Sequence, residues 1–235
     1  GGGALPTRVK LIDNLLDLVD ELVVGGLPAM AFLAACGRKI GASDVPAPMV
    51  AVARRLMAKA NERGVKVHLP IDVNCGDVLI DAKGTVGGAM FEVEGEEEEE
   101  EGGDAAGAGG GDDDDDEGND EAGGYDYDGE ANEVEVSATA GLPDGTHGFD
   151  IGSNTCEQVK EVIERAQTIV WSGLFGVCEC GSFQGGTRDV VDMLVAAHDE
   201  QEKAVFALGG STLKWMGHFT GNEDADGPLL GGGES

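Results

Sequence analysis

Apolar residues recur along this chain with two periods, and the alternation between them lays out an α/β plan. From Arg8 onward, Ile12, Leu15, Leu16, Val19 and Leu22 fall on one helical face, and Leu22-Val23-Val24 then forms a short apolar run before Gly25-Gly26. A spacing of three and four residues marks an amphipathic helix, and a β-branched run ending in glycine marks a buried strand. The unit repeats. Val50, Ala53, Leu56, Met57 and Ala60 carry the helical period, Gly64 is placed to cap it, and Val65-Lys66-Val67-His68-Leu69-Pro70 reads as the next strand. His68 alternates away from Val67 and Leu69, which predicts a strand-surface histidine rather than a catalytic base.

The same alternation returns beyond residue 130. Val134 to Ala138 reads as a strand, Pro143-Asp144-Gly145 as a turn, and Gly148-Phe149-Asp150-Ile151-Gly152 follows. Val159, Val162, Ile163 and Ala166 mark a helix leading into the strand Thr168-Ile169-Val170-Trp171, which breaks into a glycine-bearing loop. Val190, Val191, Met193, Leu194 and Ala197 mark another helix, with His198 near its C-terminal end as a partner for the helix dipole. Val205 to Leu208 is a last strand, opening into Gly209-Gly210-Ser211-Thr212 and a short helix. The succession predicts a doubly wound, Rossmann-like parallel sheet of about six strands with helices on both faces. The loops after Trp171 and Leu208 then share the carboxyl edge of the sheet, where such folds bind ligands.

Charge divides the chain into three parts. Of the 46 acidic residues, 22 lie between Glu92 and Glu135 with no Lys or Arg among them, leaving 24 against 15 bases elsewhere. Residues 95–129 hold too little apolar surface to offset chain entropy, which predicts an acidic, disordered insertion between two parts of one domain, 1–94 and 130–235. Its carboxylates lack the punctuation of an EF-hand loop, so it reads as solvating or partner-binding, with Tyr125 and Tyr127 as its aromatic anchors. The remaining domain, only mildly acidic, offers no broad attraction to nucleic acid or to an anionic membrane. Cys36, Cys75, Cys156, Cys178 and Cys180 form no framework, which fits reduced thiols in the cytoplasm; Cys178-Glu179-Cys180 has no metal-ligand spacing and reads as small apolar residues. The glycine runs at both ends, and the absence of an initial Met, suggest a segment of a longer polypeptide.

The run from Ile169 through Thr187 reads IVWSGLFGVCECGSFQGGT. It resembles the nucleotide-loop signature of the phosphoglycerate kinase family, IVWNGPxGVFExxxFxxGT. Val23-Val24-Gly25-Gly26 before Met30-Ala31-Phe32-Leu33, Gly148 to Gly152, and Gly231-Gly232-Gly233-Glu234-Ser235 resemble further stretches of that family in order. The likeness covers nearly all of the chain except the acidic interruption and corresponds to the C-terminal, nucleotide-binding half of the kinase.

What the resemblance implies is a site for ADP or ATP at Gly2, Gly26, Gly148, Phe149, Ser172, Gly176, Val177, Glu179, Gly209, Gly210, Ser211 and Thr212, with Glu179 on the ribose hydroxyls. The same resemblance exposes departures. Laid on GGAKVxDK, the family's lysines fall on Ala4 and Arg8, and the aspartate of GGGDT, which sits beside the nucleotide's magnesium, falls on Ser211. Phosphoryl transfer rests on positioning and charge neutralisation, so losing the first lysine implies a cost of several kcal/mol at the transition state, offset in part if Arg8 or Lys10 substitutes. The family's asparagine and proline become Ser172 and Leu174, a loop glycine becomes Leu27, and an apolar residue beside adenine becomes Asp44. The expectation is weak nucleotide binding, doubtful Mg²⁺ binding with no metal residues of the chain's own, and no intact catalytic residue. The domain would then be a scaffold or interaction module beside a phosphoglycerate-binding N-terminal half or other domains. The alternatives are a working phosphoglycerate kinase half, transferring phosphate between 1,3-bisphosphoglycerate and ADP in glycolysis, and a nucleotide sensor. Ala4 and Ser211 divide them.

Overall fold

The computed structural model describes residues 1–2, 5–43, 45–77, 80–81, 125–127, 131–137 and 140–221. In chain order the elements are α1 (Leu5–Leu15), β1 (Glu21–Val23), α2 (Gly26–Ala35), α3 (Ala47–Arg63), β2 (Lys66–His68), β3 (Asp72–Gly76), β4 (Ile80–Asp81), β5 (Tyr125–Asp126), β6 (Asn132–Glu135) and β7 (His147–Ile151). Then come α4 (Ser153–Arg165), β8 (Thr168–Ser172), α5 (Gly185–Asp199), β9 (Ala204–Leu208) and α6 (Gly210–Thr220). Strands and helices alternate at the two ends of the order, as the apolar periods predict, while β2 to β7 follow one another with no helix among the described residues; the fold is α/β. β1 and β2 pair in parallel, and so do β8 and β9, in the register Trp171↔Ala207 and Ser172↔Leu208. The loops after β8 and β9 therefore leave the same carboxyl edge.

β3 is flanked on both sides by antiparallel partners, β6 and β7. No helix lies between β6 and β7 among the described residues, so these strands are not joined by the helical crossovers that parallel neighbours require. Periodicity did not mark β3, whose sequence Asp72-Val73-Asn74-Cys75-Gly76 is poor in strand formers.

Two apolar clusters carry the packing. One gathers Leu16, Phe32, Leu33, Leu56, Val73 and Leu142, and the other gathers Trp171, Val191, Leu194, Val205, Ala207 and Met216. α3 shows how sequence produces such contacts. Ala53, Leu56 and Ala60 make its buried stripe, and Gly64 at φ 74 ends it in a left-handed cap, with Val65 donating back to the Ala60 carbonyl at 2.9 Å.

The C-terminus of α4 is closed by a group from far along the chain. Lys203, buried at 8 % exposure, donates from Nζ to the carbonyls of Ile163 and Glu164, both at 2.7 Å. An ammonium there satisfies open carbonyls and meets the negative end of the helix dipole. Lys203→Met keeps much of the apolar stem and removes the donors, so it should lower stability by about 2 kcal/mol, read from urea denaturation. A shift under a few tenths would refute that role.

His68 corrects the expectation of a surface position: it is 6 % exposed, with Nε2 2.5 Å from Oε2 of Glu21. Glu21 also accepts two hydrogen bonds from the Arg165 guanidinium, at 2.6 Å each. Those bonds from Arg165, outweighing burial and joined by His68, hold the Glu21 carboxyl down at about 2. The histidine thus belongs to an ion-paired link between β1, β2 and α4.

Most of 95–129 lies outside the described residues, so its expected disorder does too. At its C-terminal end, however, Tyr125–Asp126 pairs antiparallel with Ile80–Asp81, and Tyr127 packs into the domain. Tyr127 is therefore not a free anchor for a partner. Cys75, Cys156, Cys178 and Cys180 are buried as small apolar groups, whereas Cys36 is exposed. Burial pushes the thiols of Cys156 and Cys178 up to about 12. No described helix is long and apolar enough to cross a membrane.

Candidate functional site

A cavity of about 310 Å³ opens where the N-terminal ends of α1, α2 and α6 meet β7 and the loop after β8. Of the residues the sequence pointed to, Gly2, Gly26, Gly148, Phe149, Gly176, Val177, Glu179 and Ser211 line it, together with Arg8 and Leu27. Ser172, Gly209, Gly210 and Thr212 do not line it. Ala4, Asp44 and the final Gly231 to Ser235 run lie outside the described residues.

Side-chain hydroxyls hold the loop after β8 in shape. Gly173 donates its N–H to Thr212 Oγ1 at 2.8 Å, which ties this loop to the first turn of α6. Phe175 and Gly176 donate to Thr187 Oγ1 at 3.2 and 2.9 Å, tying it to α5, and Val177 donates to the Phe149 carbonyl at 3.0 Å, tying it to β7. Thr212 and Thr187 are both essentially fully buried. The turn after β1 comes close against the loop because it lacks side chains: a Cβ on Gly25 would stand 2.0 Å from the Phe175 ring.

Polar groups are few on this wall, and each has a definite state. Arg8 is half-buried and donates from Nη1 to Ser172 Oγ at 2.9 Å, so Ser172 anchors a cavity cation from behind. Ser211 is exposed on the first turn of α6, where backbone N–H groups have no intrahelical acceptor. Glu179 is exposed on the lining, and Leu27 and Met30 add apolar wall. Asp150 is 3 % exposed; its carboxyl accepts from the N–H of Gly186 at 2.7 Å and of Ile151 at 2.9 Å. Burial outweighs those bonds and pushes Asp150 up to about 7.

Asp150 and Thr187 were not singled out from the sequence as site residues. Both stand inside motifs that were, Gly148 to Gly152 and Gly185-Gly186-Thr187, but the contacts that give them work span 36 and 11 positions.

The family model for phosphoglycerate kinase matches residues 1–107 and 122–233. The chain belongs to the phosphoglycerate kinase family. Among relatives, the phosphoglycerate kinase of Drosophila melanogaster is 29 % identical over 220 residues, covering 92 % of this chain and 41 % of that protein. That of Aplysia californica is 31 % identical over 200 residues, covering 84 % and 36 %. The solved phosphoglycerate kinase of Coxiella burnetii superposes with a TM-score of 0.65 at 27 % identity, covering 95 % of this chain and 44 % of that one. The chain spans less than half the length of the phosphoglycerate kinases it matches, one domain's worth.

Proposed function

We propose that this is the nucleotide-binding domain of a phosphoglycerate-kinase-like protein, with impaired phosphoryl transfer and a scaffold or interaction role. The observation that carries the reading is Ser211, a hydroxyl on the cavity wall where the family motif calls for a carboxylate. The wall fits a nucleotide. It offers Ser211, in the first turn of α6, for phosphate, the cation of Arg8, and Glu179 for sugar hydroxyls.

It does not fit magnesium. The carboxyls on the lining are Glu179 and Asp150, and Asp150 is engaged by two N–H groups and half protonated near pH 7. A hard divalent cation favours anionic oxygen, which a serine hydroxyl does not supply. The substrate-binding half, a protein partner for 95–129 and a cytosolic setting, supported by five unpaired thiols, belong to the same proposal.

Calorimetry of the chain with ADP is the test. Binding is expected to be weak and to change less than about threefold on adding Mg²⁺, while Ser211→Asp makes it Mg²⁺-dependent by about tenfold or more, the size of one charge-assisted contact. Fused to the complementary half of an active family member, the unmodified chain should give little turnover in a coupled assay. Tight, Mg²⁺-dependent binding with ordinary turnover would overturn the reading in favour of a working kinase half.

A further inference from the structure

The cavity wall has a second layer, built in part by a residue from the far end of the acidic stretch. Phe149 and Val177 line the cavity, and behind them they cluster with Cys180, Phe183 and Tyr127. Phe183 is fully buried and is the centre of this cluster. Its ring lies 4.9 Å from that of Phe149 and 5.0 Å from that of Tyr127, both tilted, at separations where aromatic pairs attract.

Tyr127 is held from two sides. Its hydroxyl donates to Asp77 Oδ1 at 3.1 Å, and its ring approaches the end of β3 so closely that a Cβ on Gly76 would lie 2.6 Å from the phenol oxygen and 3.0 Å from Phe183 Cζ. The residues just before it, Tyr125–Asp126, pair with Ile80–Asp81, which sets Asp81 and Tyr125 side by side. The glycine at 76, that strand pairing and the ring stack agree on one placement for this ring.

We propose that Tyr127 is a positioning residue for the cavity: its ring fixes Phe183 and, through Phe183, the wall formed by Phe149 and Val177. The stem that joins the acidic stretch to the domain is thereby part of the cavity's support. That the cavity takes a nucleotide rests on the function proposed above; that Tyr127 holds its wall does not.

The experiment uses the full 235-residue chain and has two readouts. Hydrogen exchange at the Val177 amide, which donates to the Phe149 carbonyl, reports on the wall with no ligand present. ADP titration reports on binding. Tyr127→Ala should lose protection at Val177 and weaken ADP about tenfold, the equivalent of one aromatic contact. Tyr127→Phe keeps the ring and should restore both to within about twofold, which a general loss of folding would not do.

Deleting residues 90–118, which leaves both sides of the stem, should change neither readout. Unchanged Val177 exchange in a folded Tyr127→Ala protein overturns the proposal, as does an equal loss on the deletion. If the unmodified chain binds no ADP, the nucleotide reading fails while the exchange data still decide the role of Tyr127.

Discussion

Replacing Asp72 by alanine is expected to remove about 4 kcal/mol of folding stability at pH 7, a larger loss than most single substitutions cause. Asp72 sits at the start of β3, 2 % exposed, and serves as a cap for a helix that begins 81 positions later. One oxygen accepts from the Thr155 N–H at 2.7 Å and from its hydroxyl; the other accepts from the Asn154 N–H and side-chain amide, both at 2.8 Å. Thr155 Oγ1 also accepts from the Asp72 and Ile71 N–H groups at 3.1 and 3.0 Å, which locks strand and helix together. Glu133 of β6 completes the helix end by accepting from the Ser153 N–H at 2.9 Å. Burial raises the Asp72 carboxyl, yet the bonds from Thr155 and Asn154 outweigh it and hold the group below its ordinary value.

Alanine would strand the buried Thr155 N–H and leave the half-buried Asn154 N–H without its acceptor at the positive end of a helix, the buried one alone costing about 1–3 kcal/mol, with the charge–dipole attraction lost as well. Asparagine, which keeps the shape and one acceptor, should lose about half as much. Because the folded carboxyl is depressed, its contribution is present above the unfolded pKa near 3.8 and disappears as pH falls below that value. Urea denaturation at pH 7 is the measurement; a loss below 1 kcal/mol for Asp72→Ala would show that water replaces the cap.

The Asp72 network also marks where the sequence stopped being legible. Helices α1, α3, α4 and α5 and the strands β1, β2, β8 and β9 were readable because their apolar residues repeat with the period of the element itself; α2, buried continuously from Pro28 to Leu33, shows no such period. β3 was not readable, since Asp72, Asn74 and Gly76 disfavour strands locally; it is a strand because β6 and β7 pair with it on both sides. His68 misled in the opposite direction. Alternation places it opposite its neighbours, but that face of β2 is covered by Glu21, whose own position is held by Arg165 from the end of α4.

The candidate site divides in the same way. Glycines and the Trp171 loop stood out as a motif, and eight of the residues named from them line one cavity. Thr187, which holds the loop, and Asp150 and Tyr127, which support the wall, act through contacts across the fold that the motifs around them do not reveal. Composition argued against Tyr127 in particular, since it adjoins a run of carboxylates that favours water.

Stability should fall as pH rises from 5 to 8 through the titration of Asp150, by about 3 kcal/mol once other groups are cancelled. The carboxyl has an unfolded value of 3.8 and is pushed up to about 7 by burial, so the folded state binds its proton more tightly than the unfolded chain. No penalty exists below the unfolded value. Between the two values each unit of pH subtracts about 1.4 kcal/mol, and above pH 7 the full penalty, roughly 4 kcal/mol, is present. Other groups run the opposite way: burial lowers His147 and the amino terminus of Gly1, so their titration raises stability over part of the same range. The informative quantity is therefore the difference between the unmodified chain and Asp150→Asn, which stays neutral and keeps one acceptor for the two N–H donors. Urea denaturation of both proteins at pH 5 and pH 8 gives it directly. The variant should be the less stable of the two at pH 5 relative to its standing at pH 8, with the gap between the proteins moving by about 3 kcal/mol in its favour as pH rises. A gap that does not move with pH would mean that the Gly186 and Ile151 N–H groups keep Asp150 ionised throughout, and the cavity wall would then carry a fixed negative charge facing any phosphate that entered.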